Sequence, residues 1–154
     1  MYWNTFNPAY RSFTDDCTNF LSQCAVLGGF TAKGFPNSYK NWGYWWYDPS
    51  GSPKKGQTRS WTQATALHYF LLNSGRGFAT NRLCDLHRGD MIFADWNADG
   101  MIDHGMILTY ANCTAGWAGM LCAQHTNPRF GKSLRDYQLD EPLVQFYAVS
   151  ICHN

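Results

Sequence analysis

Apolar residues along the chain follow two different periods. In the first half they recur at spacings of three and four. Cys17, Phe20, Cys24 and Leu27 make one such stripe, which predicts a helix over 16–27. Asp15 or Thr14 stands where a side chain can cap it, and Gly28 and Gly29 can end it in the left-handed conformation. A second helix is predicted from "SWTQ", with Ser60 as cap and Gln63 reaching back in a capping box. Trp61, Ala64, Leu67, His68 and Leu71 line its buried face until "NSGRG" stops it. After that the pattern shortens to strand-like runs. "RGDMIFADW" predicts a turn and a short strand, followed by strands over 104–111, 118–125 and 143–151. Helices first and contiguous strands afterwards predict an α+β fold with the N-terminal helices packed on an antiparallel β-sheet. The Pro-, Gly- and Ser-rich stretch 47–60 is expected to be an exposed loop.

A chain of 154 residues suits a single domain, 1–154, with one real core. The net charge is +1, only 15% of residues are charged, and no basic block exists, which excludes an electrostatic footprint for nucleic acid. No apolar run approaches the roughly 18 residues that a membrane span needs. "MYWNTFNPAYR" lacks the basic start and apolar stretch of a secretory signal, so the chain is expected to be a trimmed mature domain or a protein exported without such a signal. Six cysteines favour an oxidising setting, extracellular or in the cell envelope.

The cysteines also raise the question of chemistry. Cys17 stands at the head of the first helix, where free N–H groups and the macrodipole favour a thiolate by about 0.3–1 kcal/mol. Asp15 and Asp16 oppose this, so an imidazolium partner would have to supply most of the thiolate's stabilisation. Of five histidines, His68 falls on the apolar stripe of the second helix, His87 in a solvent-facing turn and His153 beside the end of the sequence. His104 instead opens a strand and His125 ends the neighbouring one. A short hairpin would bring them together as a base and its orienting group.

The segments "YWNTFNPAYRSFTDDCTNFLSQC", "GDMIFADWNADGMIDHGMILT" and "QHTN" resemble the amidase domain of bacterial cell-wall proteins, a family of the papain-like group that includes the NlpC-type and CHAP peptidases. The resemblance runs from Tyr2 to about Asn127. It implies a papain-like fold and a thiol amidase or endopeptidase acting on peptidoglycan or a similar peptide, with Cys17 as nucleophile and His104 as general base. The third group would be His125, on the next strand, with Asn127 or Thr126 as alternatives. The oxyanion donor would be the Cys17 N–H with an upstream group such as Tyr10 or Asn7. No cofactor is required, and a monomer is expected. Two other classes remain open. A non-catalytic module binding cell-wall glycan would use the aromatic run "YKNWGYWWY" (39–47), and an antibacterial toxin with the same chemistry would need an immunity or inhibitor protein.

"DWNADGMID" adds a candidate calcium loop. Asp95, Asn97 and Asp99 would give side-chain oxygens, Met101 its carbonyl and Asp103 a water-bridged contact. Position twelve is Met106 rather than a glutamate, so this is no EF-hand. The alternative is a tight turn held by Asp and Asn side chains. A bound structural calcium would order the loop that ends in His104. Zinc is not expected, because neither C-x-x-C nor H-x-x-x-H occurs. If Cys17 stays reduced, Cys24 is the candidate second free thiol. A bridge from Cys113 to Cys122 would then leave Cys84 and Cys152, although other pairings are open.

Overall fold

The computed structural model describes residues 2–35, 37–52 and 54–152; the expectation for His153 lies outside them. In chain order the elements are α1 (Cys17–Leu27), α2 (Arg59–Thr62), α3 (Ala64–Asn73), β1 (Gly77–Thr80), β2 (Met91–Asp95), β3 (His104–Ala111), β4 (Met120–Gln124), β5 (Arg129–Ser133), α4 (Leu134–Asp140) and β6 (Gln145–Ile151). Short 3-10 helices cover Leu83–Asp85 and Cys113–Gly119. The strands form one six-stranded sheet in the order β1-β6-β2-β3-β4-β5, antiparallel at every pairing. The architecture is therefore α+β. No helix among the described residues is long and apolar enough to cross a membrane.

Strand alternation divides the core between the two faces of the sheet. On one face Met91, Phe93, Ala123 and Val149 meet α1 and α3 through Phe20, Leu21, Leu67 and Phe70. On the other, Ile92, Ala94, Met106, Leu108 and Cys122 meet Leu134 and Tyr137 of α4. β2 lies between its neighbours and is buried at all five positions, which explains its unbroken apolar run.

Helix α1 is enclosed on nearly every side. Besides Phe20 and Leu21 it buries Thr18, Asn19, Ser22 and Gln23. Its polar groups are satisfied by the tryptophans wrapped round it. Trp61 Nε1 donates to Asn19 Oδ1 (2.7 Å), and Trp45 Nε1 donates to Ser22 Oγ (3.0 Å). The aromatic run 39–47 thus supplies core rather than an open wall: Trp45 and Trp46 are buried, and Trp42 sets its ring edge-on to Tyr69. The sheet comes close to the helix at Gly105, where an added Cβ would stand 2.6 Å from Leu21 Cδ1.

The structure corrects three sequence expectations. The second helix is broken at Gln63, whose extended backbone (φ −120, ψ 126) separates α2 from α3. Ser60 lies inside α2 and gives its hydroxyl to the Tyr44 carbonyl and Thr58 Oγ1, so no capping box forms. β1, β5 and α4 were not expected. β1 and β5 are short edge strands containing glycine, and α4 buries only Leu134 and Tyr137, too few to set a period. Finally, Cys113 is bridged to Cys84, not to Cys122 (Cα–Cα 5.0 Å). Strand β4 turns the Cys122 side chain into the core, fully buried, whereas the two 3-10 helices carry Cys84 and Cys113 together. Cys17, Cys24, Cys122 and Cys152 are free.

Two outcomes follow. Gly105→Ala should cost about 1–3 kcal/mol by overpacking against Leu21. Paired with Leu21→Ala it should cost less than the sum of the single changes in urea unfolding. Reducing the Cys84–Cys113 bridge, which spans 29 residues, should cost about 3–4 kcal/mol by the loop-entropy model. A matching fall in melting temperature in the Cys84→Ala/Cys113→Ala variant checks it.

Candidate functional site

The head of α1 is built around Asp16. Its peptide N–H donates to Thr126 Oγ1 (2.8 Å), and its carbonyl accepts the first helical bond, from Phe20 N–H (2.9 Å). Oδ1 accepts from Phe13 N–H and Asn19 Nδ2, both at 2.9 Å. Oδ2 lies 2.7 Å from Nδ1 of His125, and the other nitrogen of that ring bonds the Tyr2 carbonyl. Both partners of this hydrogen bond are buried. The aspartate therefore gives no side-chain cap to its own helix; its carboxylate is spent on tertiary structure.

His125 consequently does not meet His104. Strands β3 and β4 pair Ile107 with Ala123 and Leu108 with Cys122. Alternation from that register puts His104, Met106, Leu108, Cys122 and Gln124 on one face, and Gly105, Ile107 and Ala123 on the other. His125 follows the second set and stacks on Phe20 of α1 at 4.8 Å. The residue that shares the His104 face on the neighbouring strand is Gln124. Its Nε2 donates to the carbonyls of Thr126 and Asn127 (3.3 and 3.1 Å), and its Oε1 accepts from Tyr137 O–H (2.6 Å). These bonds fix which end of the carboxamide is oxygen. Asn127 is exposed and touches this network only through its carbonyl. Thr126 and Asn127 both adopt left-handed backbone, at φ 57 and 56, which for the β-branched threonine is costly, on the order of 1–3 kcal/mol.

Cys17, His104 and Gln124 line one cavity of about 570 Å³, with Asp15, Trp96, Asp103 and Tyr137 among its other walls. A larger cavity, about 920 Å³, lies along the later turns of α1 between Leu27 and Phe130 and touches none of the three. The thiol sits against the hydroxyl of Thr18 (3.6 Å) and the backbone of Gly105, the residue that follows His104. Burial pushes the Cys17 thiol up; the Thr18 hydroxyl and the Gly105 backbone pull it down, and the Asp15 charge adds a further rise. Burial pushes the His104 imidazole down to about 4, opposed by the nearby Gln124 carboxamide and the Asp103 charge. His104 Nε2 is buried with no partner at hydrogen-bonding distance among the described residues. Burial thus favours the neutral form of both thiol and imidazole.

Other sequence candidates lie elsewhere. Tyr10 packs on Tyr47 and Trp61, and Asn7 accepts from Ala9 N–H; neither lines the Cys17 cavity. His68 is half-buried and edge-on to Phe93, its imidazole pushed down by burial, and His87 is exposed. In the 95–103 loop the side-chain oxygens serve the loop's own backbone. Asp95 accepts from the N–H groups of Asp99 and Gly100, Asn97 from that of Asp99, Asp99 from that of Met101, and Asp103 from that of Trp96. Among the described residues no group of three or more His, Cys, Asp or Glu is placed to hold a metal ion. The loop is a turn of Asx type.

The site belongs to a segment with identifiable relatives. Uncharacterized protein YhbB of Bacillus subtilis (strain 168) is 38% identical over 110 residues, 70% of this chain, and the chain spans 33% of that protein's length. No solved structure matches. The model of the family described as "Putative amidase domain" matches residues 1–149, and the chain belongs to that family.

Proposed function

We propose that the protein is a papain-like cysteine amidase or endopeptidase that cleaves an amide bond in the peptides of peptidoglycan. Cys17 is the nucleophile, His104 the general base, and Gln124 the group that orients the base. The observation that carries this reading is the shared cavity. A thiol at a helix head rests against the backbone next to a strand-opening histidine, and a carboxamide of fixed orientation stands on the neighbouring strand. The amidase description of the family supports the bond type. The Cys84–Cys113 bridge supports an exported, cell-envelope or extracellular setting.

The neutral resting pair shapes the mechanism. His104 takes the Cys17 proton as sulfur attacks the amide carbonyl, so thiolate and imidazolium form together with the new C–S bond. The Cys17 N–H, which α1 leaves without an intrahelical acceptor, stabilises the oxyanion. The imidazolium then protonates the departing amine nitrogen, the C–N bond breaks, and a thioester remains. His104 next deprotonates a water that attacks the thioester, and the thiol is restored.

Digestion of purified peptidoglycan, read by mass spectrometry, tests this directly. Cys17→Ala should lower the rate at least about a thousandfold, and His104→Gln by about 10²–10⁴. A Cys17→Ala variant that digests walls like the parent chain sinks the proposal. Because burial holds His104 near 4, the acid limb of kcat/KM should fall near pH 4, well below the 6.5 of a free imidazole. The raised thiol should hold activity up to at least about pH 9.

The same histidine makes stability depend on pH. Its folded value lies below its unfolded one, so the native state binds fewer protons between pH 6.5 and 4. Its contribution is complete above pH 6.5 and is lost as pH falls to about 4, a change on the order of 3 kcal/mol. Urea unfolding at pH 7 and pH 4.5 should show His104→Gln losing that share of the slope.

A further inference from the structure

We propose that Asp16, His125 and Thr126 form a clamp that positions Cys17 against His104, and that these three are positioning residues with no part in proton transfer. The proposal rests on the assignment of Cys17 and His104 given above.

Every polar group of Asp16 is committed. Its N–H goes to Thr126, its carbonyl to the helix, one carboxylate oxygen to Phe13 and Asn19, and the other to His125. The residue immediately before the thiol is thereby pinned in all directions. Three of its five hydrogen bonds, those to Thr126, Phe13 and His125, lie outside the helix, so the sulfur cannot move along the helix axis without breaking several bonds at once.

The partners on the sheet side carry marks of being held for this purpose. Thr126 keeps a left-handed backbone that suits glycine, yet its hydroxyl is what accepts the Asp16 N–H. His125 has an oxygen acceptor at each ring nitrogen, a carboxylate and a peptide carbonyl. The ring is therefore held at both nitrogens, one against α1 and one against the N-terminal segment.

The experiment follows alkylation of Cys17 by iodoacetamide in the folded chain, read on the Cys17 peptide by mass spectrometry, as the ratio of rates at pH 6 and pH 9. A thiol assisted by a neutral imidazole keeps reactivity at pH 6, whereas an unassisted thiol loses it. His104→Gln should lower the ratio at least about tenfold. Thr126→Gly should do the same with no fall in melting temperature, since it removes the hydroxyl and the unfavourable φ together. Thr126→Ser, which restores the acceptor, should return the ratio to within about twofold of the parent. The Asp16→Asn/His125→Phe double variant, which removes the buried hydrogen bond between the two and keeps a ring on Phe20, should lower the ratio as Thr126→Gly does. A parent-like ratio in Thr126→Gly and in the double variant, with His104→Gln lowered, overturns the clamp and leaves the proposed function standing. A parent-like ratio in His104→Gln overturns the pair itself.

Discussion

A buried hydrogen bond between Asp16 and His125, 109 positions apart in the chain, is the contact on which the arrangement of the site depends. Burying polar side chains costs free energy unless their lone pairs and protons find partners. Here they do. Phe13 and Asn19 fill the second carboxylate oxygen, the Tyr2 carbonyl stands at the second ring nitrogen, and Phe20 covers the face of the ring. Asn19 in turn receives the indole proton of Trp61. "DCTNF" and "QHTN" are two halves of one structure. Asp16 and Phe20 bind His125 and Thr126, and Asn19 holds Asp16, while Cys17 and Gln124 turn into the cavity.

The second constraint is distance. Helix α1 lies against the sheet at Gly105, one residue beyond His104, where no side chain intervenes. Trp45 and Trp61 hold the helix from the outer side through Ser22 and Asn19. The aromatic bias of the chain thus has a structural cause: a helix with buried polar residues needs large rings that carry an N–H donor. The cost of this close packing is desolvation of the pair in the cavity. Burial raises the thiol and lowers the imidazole, so the neutral form of each is favoured at rest.

Much of the architecture was legible because it rests on periodicity. α1 starts one residue from its predicted position, β3 has its predicted bounds, and β2, β4 and β6 fall inside their predicted segments. What failed depended on information that a one-dimensional pattern carries only indirectly. The pairing of His104 with His125 considered which strands would be adjacent but not which face each side chain would take. Applying the period of two to β4 would have selected Gln124 instead. The Cys113–Cys122 bridge failed for the same reason, since a strand residue pointing into the core is not available to a neighbouring loop. β5 and α4 were missed because an exposed edge strand and a seven-residue helix have little apolar pattern to detect. The Ser133–Asp136 cap was the one local signal for that helix.

Two aspartates before the proposed nucleophile look self-defeating, because each negative charge should hold the proton on sulfur. The structure separates them. Asp16 is turned into the protein and hydrogen-bonded to His125, while Asp15 remains exposed at the cavity mouth, where solvent weakens its field. What keeps Cys17 protonated is mainly burial, and burial acts on His104 in the opposite sense. In the proposed mechanism a neutral pair bears no standing desolvation cost for an ion pair, and the charges arise only while a carbonyl is present to take up the thiolate. The geometry must then already be in place, because no resting electrostatic attraction draws sulfur and imidazole together. That is the physical reason for a head of α1 tied down as heavily as this one.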